Sequence, residues 1–294
     1  MLATLYDYWF VQFDFPDESG RPYRSSGGKM VWDDRLKREI PDGWQVASII
    51  DNPLVEVIKP GVGRFDIKTY FATADVNGNT IAKGTSIAYE SRETRANMEP
   101  ALLSVWFAKM KSSVKHIFFS QPMQSLVDGS ILSTGFLGLQ CREESFEYIA
   151  SFISSPFFEA IKDQLAHGAT QEAVNNDDLR FVPLLVPDRQ TLLKFHSKTN
   201  RAFSAMGGNI IENKKLQELR DWLLPMLVNG QATVRLQQAN YRLSYTHRLT
   251  VEPAYSELRP QVKLLAIKEI HAESAITAEA LDNGRIPFHM DGLL

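Results

Sequence analysis

Cysteine is nearly absent: Cys141 is the one thiol in 294 residues. That excludes an intramolecular disulfide and a metal site built on several thiolates. Positive charge is not in excess either, since the formal net charge is -3. A polyanion is therefore not held by bulk attraction; any such binding must come from a local patch or be shared with other chains. No apolar run approaches the roughly 20 residues of a membrane span. The start, MLATLYDYWF, lacks the basic flank and long apolar core of a secretory signal. These absences lead us to expect a cytoplasmic chain without a membrane anchor. What is present forms a core: 44% of the residues are apolar, too many for a disordered tail. At roughly 150 residues per domain, the length allows one large or two small units.

Four regions differ in pattern. Residues 1–40 begin aromatic and helix-like (Leu5, Tyr6, Trp9, Phe10, Phe13), then pass through Pro16, Gly20 and Pro22 into a polar connector. Residues 41–188 open on the Pro41-Asp42-Gly43 turn and hold short β-like runs such as LVEVIKPG, NTIAKGTSIAYE, SVWFAKM, HIFFSQ and ILSTGFLGLQC. One amphipathic helix is expected there, over 144–166, with Phe146, Ile149, Ala150, Ile153, Phe157, Ile161 and Leu165 on its apolar face. Residues 189–231 carry a narrow stripe, Phe195, Thr199, Phe203, Met206 and Ile210, then Leu216, Leu219, Leu223 and Met226. The spacing predicts a long coiled-coil-like helix, interrupted or kinked at Gly207-Gly208, with Asn229-Gly230 as its stop. Residues 232–294 form an extension in which KLLAIKEIHAES and ITAEALDN look helical and no site emerges. LYDYWFVQF (5–13) echoes LRDWLLPML (219–227), so two similar helix ends would flank one domain. The expected class is α/β, β-rich, with a long helix.

Strings that would carry catalysis are missing. The nearest approach to the tetrad that grips a flipped base, Asp51-Asn52-Pro53-Leu54, lacks the second proline and the aromatic ring. No GxGxxG or P-loop string is present, and the six histidines show no metal-ligand spacing. Pro187-Asp188 with Glu212-Asn213-Lys214 spells a nuclease-like pattern, but Glu212 falls within the expected long helix, which makes chance the better account.

The strings YDYWFVQFDFP, GRPYRSSGGKMVW and IPDGW, followed in order by SRETRANMEP, VWFAKMKSSVKH, STGFLGLQ, GATQEAVNNDDL and LRDWLLPMLVNGQ, run collinearly over about 1–235. Together they resemble the specificity subunits of type I restriction-modification enzymes. The resemblance implies one target-recognition domain plus a conserved spacer helix, where the full subunit has two of each. It implies a non-catalytic reader of double-stranded DNA with no cofactor of its own. S-adenosylmethionine would belong to partner modification subunits, and ATP and Mg to partner motor-nuclease subunits. The alternative is a truncated or regulatory protein that occupies modification subunits without reading DNA.

Residues 85–120 carry five Lys/Arg against three Asp/Glu, a basic excess in an acidic chain. Arg and Lys suit phosphates and guanine, and Asn and Gln suit adenine. The candidate DNA contacts are Arg92, Arg95, Asn97, Lys109, Lys111, Lys115, His116, Thr134, Thr170, Gln171 and Asn175. Ordinary solvated loop charge is the plain alternative, and Gly168 with Thr170 equally fits helix capping. The run Tyr6, Tyr8, Trp9, Phe10 suits core packing on the long helix better than base stacking, because its spacing follows a helix face. The stripe residues Phe195, Phe203, Met206, Ile210, Leu216, Leu219 and Leu223 are expected to need another helix: that of a second copy, or of a different half-subunit, paired antiparallel.

Overall fold

The computed structural model describes residues 1–168 and 172–230, with the backbone of 232–237 and 248–253. The helices expected in KLLAIKEIHAES and ITAEALDN lie outside the described residues. The chain divides into two units, Met1–Glu212 and Asn213–Leu294.

The first unit is a mixed α/β body. One antiparallel sheet orders its strands His116–Phe119, Ser104–Ala108, Phe136–Cys141 and Val55–Val57. A second orders Thr85–Ala88, Ile67–Phe71, Ser130–Ser133 and Ala96–Met98, its central pair parallel. Most of the apolar runs picked out in the sequence become these strands. The strand Ser104–Ala108 is buried along its whole length, and Trp106 donates its Nε1–H to Ser104 Oγ at 2.7 Å. Gly138 on the neighbouring strand makes room for that ring, since a Cβ there would stand 2.6 Å from it. The polar connector also holds a hairpin, Met30–Asp33 with Arg38–Pro41, that the sequence reading missed.

Helix α1 (Leu2–Tyr6) runs into a π-helical turn, Asp7–Val11. Helix α2 (Gln124–Asp128) is short. The helix expected over 144–166 is two helices, α3 (Phe146–Ile153) and α4 (Pro156–Leu165). Ser155 is extended and its Oγ accepts from Phe158 N at 3.2 Å, while Pro156 takes the first turn of the new helix. An N-cap followed by proline starts a helix rather than continuing one.

The long helix α5 (Arg189–Val228) is continuous through Gly207-Gly208, which corrects the expected break. The reason is close packing. Gly207 is buried against Ser120 and the Met123 side chain, with no room for a Cβ. Asp188 caps the helix, accepting from Thr191 N at 2.9 Å and Thr191 Oγ1 at 2.6 Å, and it also accepts from Trp44 Nε1 at 3.0 Å. Asp188 is thus a structural cap, and Glu212 lies 24 residues further along, about 36 Å at the helical rise. No nuclease centre forms from that pair.

The first half of the stripe meets the chain's own core. Trp9 and Phe10 pack on Phe195 with centroids at 5.5 and 5.0 Å, and Phe203 meets Phe146 at 5.9 Å. Tyr6, Trp9 and Phe10 are core residues, whereas Tyr8 is exposed. Phe195 and Phe203 are buried, and Met206 and Ile210 pack half-buried against the same body. The expectation that these four await another helix is therefore corrected.

In the second unit, the described part comprises the last turns of α5 and an antiparallel pair, Ala232–Gln237 with Arg248–Pro253. Leu216, Leu219 and Leu223 are half-buried, while Trp222, Leu224, Leu227 and Val228 are exposed.

Candidate nucleic-acid interface

The strands Ser104–Ala108 and Phe136–Cys141 pair antiparallel with Ala108 opposite Phe136, so the segment leaving one and the segment entering the other emerge at the same sheet end. Two more segments are tied to that end through the backbone. Thr134 N donates to Arg95 O at 2.8 Å, Lys109 N to Gly135 O at 2.9 Å, Val174 N to Lys109 O at 3.0 Å and Lys111 N to Glu172 O at 2.9 Å. The result is one row of linked loops around Arg95, Thr134, Lys109–Lys111 and 172–175. Residues far apart in sequence are brought together there: Arg95, Thr134, Lys109, Lys111 and Asn175.

Their side chains are not equally free. Arg95 is exposed and its guanidinium lies over Gly135, where a Cβ would stand 3.6 Å from Nη2. Lys109 is half-buried, and among the described residues no hydrogen bond or ion pair engages its ammonium. Burial holds that ammonium below its ordinary pKa. Lys111 pairs with Glu172 at 2.7 Å, and this hydrogen bond raises it above the ordinary lysine value. Thr134 and Asn97 are half-buried at the row's edge, and Asn97 O accepts from Gly61 N at 2.8 Å. Asn175 is exposed; its N–H donates to Asp178 Oδ2 at 2.7 Å and its amide nitrogen lies 3.2 Å from His167 Nε2.

Three candidates are committed to the fold. Arg92 stacks on Tyr89, 4.0 Å from the ring centroid, and donates to Tyr89 O at 3.0 Å. Lys115 Nζ donates to Thr73 O at 2.6 Å. His116 is 4% exposed and lies 2.9 Å from Glu159 Oε1, so it is a buried structural residue, and its expected DNA contact is corrected. His116 is the first residue of a strand, His116–Phe119, that is buried along its whole length. Thr170 and Gln171 lie outside the described residues.

The sequence reading placed a helix over α4 but gave no role to its Glu159, Lys162 and Asp163. Burial pushes the Glu159 carboxyl up, but hydrogen bonds from His116 and Lys162 outweigh it and hold the group below its ordinary value. Lys162 is 1% exposed, lies 2.6 Å from Glu159 Oε2 and donates to Ser113 O at 2.9 Å. Asp163 Oδ1 accepts from Ser112 N at 2.8 Å. The spacing 159, 162, 163 marks one helix face, yet nothing in the sequence says what that face touches. No group of three or more His, Cys, Asp or Glu among the described residues is placed to hold a metal. No described helix is long and apolar enough to cross a membrane.

No family model matches the chain. Over 247 residues it is 23% identical to the specificity subunit of the type I restriction enzyme MjaIX from Methanocaldococcus jannaschii, spanning 78% of this chain and 52% of that protein. The chain resembles type I restriction specificity subunits. Over 90 residues it is also 31% identical to the HindI specificity subunit of Haemophilus influenzae, covering 30% of this chain and 20% of that one. The chain thus spans about half the length of the MjaIX specificity subunit. Among solved structures, the HsdS subunit from Thermoanaerobacter tengcongensis has a TM-score of 0.43 at 17% identity, covering 69% of this chain and 53% of that one. A chain from a type I R-M system, described for its assembly and conformational transition, has a TM-score of 0.43 at 16% identity, covering 70% and 58%.

Proposed function

We propose that the chain reads DNA sequence as the specificity component, or half-component, of a type I restriction-modification complex. The observation that carries this reading is the likeness to a specificity subunit over 78% of the chain. The loop row supports it physically. A half-buried ammonium with no counter-ion among the described residues, as at Lys109, is stabilised by an arriving anion, and a phosphate supplies one. Arg95, Thr134 and Asn175 stand beside it with groups that position on the backbone or read base edges.

The chain itself performs no chemistry in this reading. Partner modification subunits would carry S-adenosylmethionine, and partner motor-nuclease subunits would carry ATP and Mg. The half-buried Leu216, Leu219 and Leu223 would meet an antiparallel helix from a second copy or another half-subunit, giving two recognition domains.

The test is selection of duplexes from a pool with a randomised core by the purified full chain. Enrichment of a defined sequence, with affinity falling linearly against the logarithm of salt concentration, is expected. Recovery of an unenriched pool, or methyl transfer from S-adenosylmethionine by the chain alone, would overturn the reading.

A further inference from the structure

One face of α4 grips the loop that carries Lys109, Lys111 and Lys115. Asp163 accepts the Ser112 N–H at 2.8 Å, and its other oxygen lies 3.4 Å from Ser112 Oγ. Lys162 donates to Ser113 O at 2.9 Å, and Glu159 meets His116 at 2.9 Å where the loop becomes strand. Three consecutive positions of the helix face therefore hold three positions of one loop.

Two features set this contact apart from ordinary packing. Ser112 has φ of +55°, the left-handed region that serine adopts only under constraint. The hydrogen bond from Ser112 N to Asp163 is made in that conformation. Lys162 is buried at 1% exposure, with its ammonium 2.6 Å from Glu159 Oε2 and donating to Ser113 O at 2.9 Å. A buried ion pair adds little net stability once desolvation is counted, whereas this one does fix where Ser113 O sits. The same loop is tied to the candidate row through Lys109 O to Val174 N and Lys111 N to Glu172 O.

We infer that Glu159, Lys162 and Asp163 are positioning residues for DNA recognition: by holding Ser112, Ser113 and His116 they set the backbone from which Lys109 and Lys111 meet the nucleic acid. The inference rests on the DNA-reading function proposed above. A contact misplaced by even an ångström forfeits much of a base or phosphate interaction, so a loosened loop costs discrimination before it costs the fold.

The test compares Asp163→Ala with Asp163→Asn. Both remove the charge, and only asparagine retains an acceptor for Ser112 N. The probe is a duplex enriched by the wild-type chain, measured against a scrambled duplex of equal length by fluorescence anisotropy. Hydrogen exchange is followed in peptides covering 109–115. Asp163→Ala should lose about tenfold in preference for the selected duplex, the scale of one specific base contact. Exchange in the loop should quicken while the thermal midpoint stays close to wild type. Asp163→Asn should keep both properties. Equal loss in the two variants would assign the effect to charge and overturn the inference, as would unchanged preference in Asp163→Ala. Should Asp163→Ala fail to fold, Lys162→Met tests the other hold of the helix on the loop: it removes the donor to Ser113 O, and unchanged preference there overturns the inference too. If the wild-type chain enriches no duplex, the DNA reading falls and takes this inference with it. A bound duplex with unaltered preference in the variants removes the positioning role alone.

Discussion

The two halves of α5 carry the same kind of apolar stripe and use it differently. In the first, Phe195 and Phe203 are 1% and 5% exposed, filled in by Trp9, Phe10 and Phe146. In the second, Leu216, Leu219 and Leu223 are half-buried and Leu224 and Val228 are 56% and 77% exposed. Periodicity reports which residues share a face; it does not report whether the covering surface belongs to the same chain. The first half is a domain-core element that happens to be long. The second is where a partner helix has apolar surface to gain.

The strongest way to break this contrast is truncation in the first half. Phe203→Ala should cost about 3–5 kcal/mol, the range for a buried aromatic side chain, read from the shift of a urea unfolding curve. A cost under 1 kcal/mol, as expected of surface positions, would mean that the helix is not part of the core.

The adjacent glycines sharpen it next. Gly207→Ala places a methyl against Ser120 and Met123 and should destabilise by about 1–3 kcal/mol, as overpacking does. Gly208→Ala meets open space and should stabilise by up to about 1 kcal/mol through helix propensity. Thermal midpoints moving in the same direction for both would contradict the packing.

A pH titration separates the supports beneath each region. Glu159 is held below its ordinary pKa, so its contribution is present above the ordinary carboxylate value and is lost as pH falls through the lowered one. Glu147 faces His196 on α5 at 2.8 Å, but desolvation leads and its pKa is raised. Its contribution is present below the ordinary value and is lost as pH rises through the raised one. Glu159→Gln should therefore flatten the acid limb of the stability profile, and Glu147→Gln should flatten the limb above it. Identical profiles for wild type and Glu159→Gln would refute the first assignment.

The smallest expected effect is at Leu219. Leu219→Ser should change the stability of the Met1–Glu212 unit by no more than about 0.5 kcal/mol, as at a surface site. It should lower the association measured by light scattering. A large loss of domain stability would place Leu219 in the core with Phe203.

Residue types led to part of the candidate row, and spacing to little of it. The excess of Lys and Arg over 85–120 covers two of its loops, and among the described residues no hydrogen bond or ion pair engages the side chain of Lys109 or Arg95. His116 misled because a polar residue next to lysines looks solvent-facing until a buried carboxylate such as Glu159 is placed against it. Strand positions followed from short apolar runs, whose β-branched and aromatic side chains suit a pleated, half-buried surface. The break between α3 and α4 was visible in Ser155-Pro156, but the unbroken apolar periodicity outweighed it in the reading.

By itself the sequence determined local matters: where most of the strands fall, that a helical segment follows Asp188, and that one thiol and an acidic balance leave no intramolecular disulfide and no bulk attraction for polyanions. These follow from backbone propensity, side-chain period and charge, each set within a few residues. Tertiary structure alone decided which cations are free. Lys109, Lys111 and Lys115 are neighbours of like chemistry, yet among the described residues one has no ion-pair partner, one meets Glu172 and one is held by the Thr73 carbonyl. Tertiary structure also decided that Gly207 is a contact rather than a break, and that half of a uniform stripe is already covered. Burial and pairing depend on atoms 60 or more positions away in the chain, as Glu172 is from Lys111 and Ser120 from Gly207, and no local pattern encodes such distances.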